Sequence, residues 1–172
     1  MQRDVHLNVI LPRNRDHPGW IRVEVNGVPQ REFRILGRGS KRVRNKATGK
    51  YKPTGNPTLS PFKYAGNTPT GDYDSPGIVN TTDWNQSSYG PWGAVRLKAH
   101  AGDALTAERL GRDRLLIHGG VEGSFDGYNS TLGCLRLHNS DMKQLIQLIS
   151  DAGANAHAAM CENVSVKVTV RE

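Results

Sequence analysis

The chain has 172 residues, 36% of them hydrophobic, with 19 glycines, 9 prolines, 2 cysteines and a formal net charge of +7. That length lets one domain bury a core without structural metals or disulfides, and the apolar content excludes a disordered chain. Two distant cysteines exclude a disulfide framework or a paired-cysteine metal knuckle, and no apolar run is long enough for a membrane-spanning helix.

Read in chain order, "VHLNVIL" alternates Val5, Leu7, Val9 and Leu11 on one side, the period of a half-buried strand. "WIRVEV" predicts a second strand ending at Asn26-Gly27, a pair that tolerates the positive φ of a two-residue hairpin turn, and "REFRIL" predicts the returning strand. Residues 1–36 therefore read as a β-meander. Residues 37–61 are basic, rich in Gly and Pro and without apolar period, which predicts a long exposed loop. Its cations, Arg38 to Lys52, suit a solvated loop or a grip on an anionic polymer, and the loop's length suits a lid over a substrate groove.

"GAVRLK" (93–98) and "RLLIH" (114–118) predict strands, with a short helix or turn at "TAERLGRD" between them. The second strand delivers His118 to its end. Met142, Leu145, Ile146 and Ile149 recur at helical spacing, predicting the main helix, with Ser140 and Asp141 placed to cap it. Val164, Val166, Val168 and Val170 predict a closing strand. No repeat or linker divides the chain, so a core over about 62–140 and the helix and strand of 140–172 form one mainly β domain.

Cys134 sits in "STLGCLRLHN". A thiol becomes a nucleophile when a base or a positive environment lowers its pKa, and His118 lies upstream across a polar stretch able to fold back. One such pair alone is a weak signal, because a free cysteine is more often a small buried hydrophobe.

Three stretches occur in order: "GNTPTGDY" (66–73), His118-Gly119, and Thr131-Leu132-Gly133-Cys134-Leu135-Arg136. They resemble the Thr-Pro-x-Gly-x-Phe/Tyr, His-Gly and Ser/Thr-x-Gly-Cys-x-Arg motifs of the L,D-transpeptidase catalytic domain of the YkuD type, and the resemblance runs from about Phe33 to Asn139. It implies a β-sandwich or open barrel with its site at the strand ends and one main helix after the Gly-Cys motif. It implies a catalytic unit of Cys134 and His118, with the Gly119 carbonyl holding the imidazole tautomer and the amides of Gly133 and Cys134 facing the oxyanion. It further implies attack on the third residue of a peptidoglycan tetrapeptide stem and loss of the terminal D-alanine. The resulting thioester would end in a cross-link, an exchanged D-amino acid or a trimmed stem. No cofactor is implied. Leu132 departs from the family, many members of which carry a second histidine there.

Around the motif, Arg136 fits either a substrate carboxylate or a structural pair with Asp126 or Asp141. Ser130 and Thr131 fit hydrogen bonds to substrate or to local backbone. Tyr89 and Trp92 of "SSYGPWG" fit a groove lining or core packing. A zinc site from His118, His138 and Cys161 would lack tight ligand spacing, so no metal is expected; His6, His17, His100 and His157 read as scattered surface or packing residues.

The implied partners are peptidoglycan stem peptides. The N-terminus has no signal-peptide core although the substrate lies outside the cytoplasmic membrane. This gives the expectation of an antibacterial effector delivered into another cell's periplasm by a contractile secretion apparatus and opposed by a periplasmic immunity protein. The alternative is a noncatalytic module in which the basic loop 38–52 binds nucleic acid or another anionic polymer and Cys134 is inert. Such binding would weaken steeply with salt, and no RNA-recognition or helix-turn-helix pattern favours it.

Overall fold

A computed structural model describes residues 3–44, 47–53, 56, 58–153 and 164–172. Three strands, β1 (Arg3–Ile10), β2 (Gly19–Val25) and β3 (Val28–Ile35), form an antiparallel meander. Asn26 and Gly27 turn the β2-β3 hairpin with φ of 51° and 77°, the left-handed pair whose twist matches that of the strands. Val5, Leu7, Val9 and Ile21 face inward, and the residues between them face outward.

The basic segment departs from the loop that the sequence predicts. Within it β4 (Arg42–Arg44) and β5 (Tyr51–Pro53) pair as a small antiparallel hairpin. Three-residue strands are too short to leave an apolar period in the sequence. Arg38 at its root is buried: Nε donates to Asp16 at 2.6 Å, Nη1 donates to the Gly39 carbonyl at 2.8 Å, and the guanidinium lies 3.9 Å over the Phe125 ring.

The main sheet gains β6 (Gly71–Asp74), β7 (Ile78–Val79), β8 (Ala94–Ala101), β9 (Leu115–His118), β10 (Leu135–Arg136) and β11 (Val164–Arg171). Its order is β10-β9-β8-β6-β11-β1-β2-β3, with β7 beside β8. The two outer edges meet where Leu36 and Arg136 exchange backbone hydrogen bonds, both 2.9 Å, so the sheet curls into a nearly closed barrel. The expected mainly β, barrel-like class holds.

The main helix, α3 (Asn139–Asp151), follows the Gly-Cys motif and buries Met142, Leu145 and Ile149 against the sheet. Each large aliphatic side chain so buried contributes about 1.5–3 kcal/mol. Its start differs from the sequence expectation. The N-cap is His138, without a side-chain cap bond, and Asp141 falls in the first turn, where its charge still suits the positive end of the helix. Two shorter helices, α1 (Gln86–Tyr89) and α2 (Asp103–Arg109), lie in the connections.

Candidate active site

The site is set by the register of β9 and β10. These strands run parallel, pairing Leu135 with Ile117 and Arg136 with His118. Leu115, Ile117, Leu135 and Leu137 point into the core, so strand alternation turns His118 and Cys134 onto the opposite face. From strand spacing and rise, their Cα atoms are about 8 Å apart, a span two inward-leaning side chains can cross. Among the described residues no hydrogen bond links Cys134 Sγ to His118.

His118 is 3% exposed, and its Nδ1 lies 2.7 Å from the Gly119 carbonyl. That acceptor requires the proton on Nδ1 and leaves Nε2 as the proton acceptor. Burial pulls the imidazole down to about 4, although the carbonyls of Gly119 and Ser88 favour its charged form. The Tyr89 ring stands 5.0 Å from the imidazole, and Trp84 meets Tyr89 edge-on, also at 5.0 Å. Burial pushes the Cys134 thiol up to about 11, against the Leu116 amide and the charges of Arg112 and Arg136, which pull it down. At rest the pair is thiol and imidazole rather than thiolate and imidazolium.

A dense set of bonds holds the loop that carries Cys134. Thr68, from the "NTPTGDY" stretch, is buried and donates through Oγ1 to the Gly133 carbonyl at 2.8 Å. Thr131 Oγ1 donates to the Cys134 carbonyl at 2.8 Å and accepts from the Gly133 N–H at 3.0 Å. The Gly133 N–H, expected to face an oxyanion, is bonded inside its own turn in this structure. Gly133 has φ of 123°, and a Cβ there would overlap Arg112 Nη2.

Arg112 is the residue that sequence reasoning missed. It is 7% exposed, follows α2, and has no carboxylate partner among the described residues. Its guanidinium donates to the carbonyls of Leu132 at 3.0 Å, Asn67 at 2.9 Å, Gly66 at 3.2 Å and Pro61. One side chain thus ties the "GNTPTGDY" strap to the turn that carries the thiol.

Arg136 fills a matching role on the His118 side. It pairs with neither Asp126 nor Asp141, and at 4% exposure its fork is turned inward. It donates to Ser87, Ser88 and Val121 carbonyls at 3.3, 3.2 and 2.8 Å, so a substrate carboxylate would have to displace buried backbone bonds. Asn139 at the start of α3 accepts from the Gly120 N–H at 2.8 Å and fixes the His-Gly-Gly turn, a second contribution the sequence did not signal.

The other predicted residues are distributed as follows. Thr131 is buried in local backbone bonds, while Ser130 beside it is partly exposed. Tyr89 borders the imidazole. Trp92 instead lies under Lys143, with Nζ 4.5 Å from its ring centroid. Leu132, next to Gly133, is 45% exposed. His138 stacks on Tyr128 with centroids 4.1 Å apart, and Cys161 and His157 lie outside the described residues. Among the described residues no three His, Cys, Asp or Glu side chains converge as a metal site.

The family model for YkuD, the L,D-transpeptidase catalytic domain, matches residues 21–168. Similar solved structures include L,D-transpeptidase 1 of Mycobacterium tuberculosis, at 12% identity over 99% of this chain and 63% of that one, with a TM-score of 0.46. An L,D-transpeptidase of Xylanimonas cellulosilytica is 15% identical over 99% of this chain and 61% of its own, with a TM-score of 0.46. Bd1075 of Bdellovibrio bacteriovorus is 11% identical over 96% of this chain and 46% of its own, with a TM-score of 0.51, and this likeness bears on the fold alone. The chain spans between 46% and 63% of the length of these three proteins. No curated protein matches the chain.

Proposed function

The chain belongs to the L,D-transpeptidase catalytic domain family, and on that premise we propose that it is a cysteine acyltransferase acting on peptidoglycan stem peptides. One observation carries the reading: a buried imidazole, fixed through Nδ1 on the Gly119 carbonyl, shares a sheet face with the thiol of the Gly-Cys motif.

Cys134 Sγ adds to the carbonyl carbon of the third stem residue as its proton passes to His118 Nε2. The nearby Gly119 and Ser88 carbonyls stabilise the imidazolium formed in that step. Because Thr131 occupies the Gly133 N–H, the Cys134 N–H is the motif's donor for the oxyanion. Collapse breaks the C–N bond, and His118 returns the proton to the departing D-alanine amine. The thioester is then opened by a stem amine, a free D-amino acid or water, with the C–S bond breaking and the proton returning to Sγ. Tyr89 and Trp84, beside the imidazole, and the exposed Leu132 offer apolar surface to the stem, and Ser130 offers a hydroxyl.

Arg112 and Arg136 act as positioning residues whose charges also ease ionisation of the thiol. The basic-module alternative gains no support from Arg38, whose charge is spent on Asp16, Gly39 and Phe125. The substrate places the activity outside the cytoplasmic membrane, and among the described residues no helix is long and apolar enough to cross one. The proposal extends to an effector setting with a periplasmic immunity protein. Growth arrest on periplasmic but not cytoplasmic expression, abolished by Cys134→Ala, is the outcome that this setting requires.

The enzyme is tested with a disaccharide tetrapeptide and excess D-methionine, followed by mass spectrometry. Cysteine-dependent loss of D-alanine is expected, and the product mass separates exchange, trimming and dimer formation. Equal, unchanged spectra for wild type and Cys134→Ala on this substrate, on other stem lengths and on isolated sacculi would end the reading.

A further inference from the structure

The outer face of the sheet carries a cleft that the proposed chemistry does not use. Strand alternation points Trp20 of β2 away from the core, between the buried Gly19 and Ile21, and its side chain is 53% exposed. Across the strands its neighbours are Ile10 on β1 and Arg34 on β3, whose guanidinium lies 5.9 Å from the ring centroid. The next cross-strand row holds Thr169, Asn8, Arg22 and Glu32. Trp20, Ile10 and the four side chains of this row, with Arg171 and Glu172, line an open cleft of about 360 Å³, near the lower end of the range for small-molecule sites, about 300–1,000 Å³.

We infer that this cleft is a saccharide-binding site for the neutral glycan strand of peptidoglycan, with Trp20 as its stacking platform. The choice of ligand rests on the proposed function; the chemistry of the cleft supports a sugar independently. An exposed indole offers a rigid apolar surface that the C–H face of a pyranose can cover, at little cost in side-chain entropy. Around it Asn8, Arg22 and Glu32 are planar groups whose donors and acceptors suit the vicinal hydroxyl and acetamido groups on a sugar's rim.

The charges argue against an anionic ligand. Arg22 is matched by Glu32 at 2.6 Å, Arg171 by Asp72 at 2.7 Å, and Glu172 by Arg15 at 2.6 Å. A phosphate-rich polymer or anionic membrane would meet carboxylates already seated beside the two lining arginines, Arg22 and Arg171, while Arg34 beside Trp20 has no carboxylate partner among the described residues. The platform is built on paired strands rather than a loop, so it is held rigid before ligand arrives.

The test is a titration of the folded chain with N-acetylated chitotetraose, reading the Trp20 indole N–H resonance. Wild type and Cys134→Ala are expected to bind equally, with that resonance shifting. Trp20→Ala should lower affinity at least tenfold, Trp20→Phe should restore part of it, and both should process a free soluble tetrapeptide as wild type does. Polyphosphate at the same concentrations should leave the resonance in place. An unmoved Trp20 signal, undiminished binding by Trp20→Ala, or a response to polyphosphate alone would overturn the site. Saccharide binding is read without catalysis, so an inactive but glycan-binding protein would refute the enzymatic reading and leave this one standing.

Discussion

Replacing Arg112 with methionine keeps most of the side chain's length and removes its donors. Four carbonyls, those of Pro61, Gly66, Asn67 and Leu132, then lose their partner. Hydrogen bonds from a charged donor are each worth about 1.5–3 kcal/mol, yet the sum overstates the loss. Freed carbonyls regain some water, and the cost of burying the cation disappears. A net loss of about 3–5 kcal/mol remains, by comparison with removing one partner of other buried charge networks. For a chain of this size that is a fall in Tm of roughly 10 °C. Activity should fall further than stability accounts for, because Leu132 is one residue from Gly133 and two from Cys134. A misplacement of about 1 Å costs on the order of 100-fold in rate. Arg112→Lys keeps the charge but cannot reproduce the fork, so it should fall between wild type and methionine. Thermal melts, and kcat/KM measured well below Tm, check this. A Tm within about 2 °C of wild type together with unchanged kcat/KM for Arg112→Met would refute the reasoning.

His118 titrates at about 4 when folded, against 6.5 for a free imidazole. Between those values the unfolded chain binds a proton that the native chain does not, so stability falls as pH drops through this window, by up to about 3 kcal/mol from this group. Urea unfolding near pH 7 and near pH 4.5 should show that loss in wild type and a smaller one in His118→Gln; equal losses would contradict it. On the same basis kcat/KM should stay level from neutral pH down to about 5 and drop as the imidazole protonates near 4, which a pH–rate profile checks. Gly133→Ala, at φ of 123° with its Cβ against Arg112, should cost about 3 kcal/mol and abolish turnover, read by melting and product analysis. Leu132→His, at an exposed position, should change stability by less than about 0.5 kcal/mol. It should nevertheless alter the ratio of D-amino acid exchange to trimming, measured by mass spectrometry.

The parts of the fold legible in the sequence are those with a single period and one buried face: β1, β2 with its Asn-Gly turn, β11, and α3. The pair β4 and β5 escaped because three residues cannot display an alternation. The motif stretches marked where the thiol and imidazole are, and strand register explains why they share a face. What holds them there was hidden. Arg112 in "LGRDR" looks like any surface arginine, since the acceptors that bury it are carbonyls, which every residue possesses, and some are about fifty positions away. Arg136 was visible in the motif but not its use, because the choice between a carboxylate and three carbonyls depends on which loops fold over it. The bond from the Gly133 amide to Thr131 was hidden for a related reason, since it depends on how the turn folds on itself.

The parallel pairing of β1 with β11 has a consequence for the order of assembly. These partners are separated by roughly 160 positions, and contacts between distant segments form slowly because a large loop must close first. The barrel cannot take its final curvature until both terminal strands are in place, and the edge contact between Leu36 and Arg136, beside Cys134, depends on that curvature. Cys134 should therefore be among the last residues to reach its native surroundings during refolding. Until then its thiol ionises near the ordinary value of about 8.5, so a partly folded chain is more open to oxidation and alkylation at Cys134 than the finished fold.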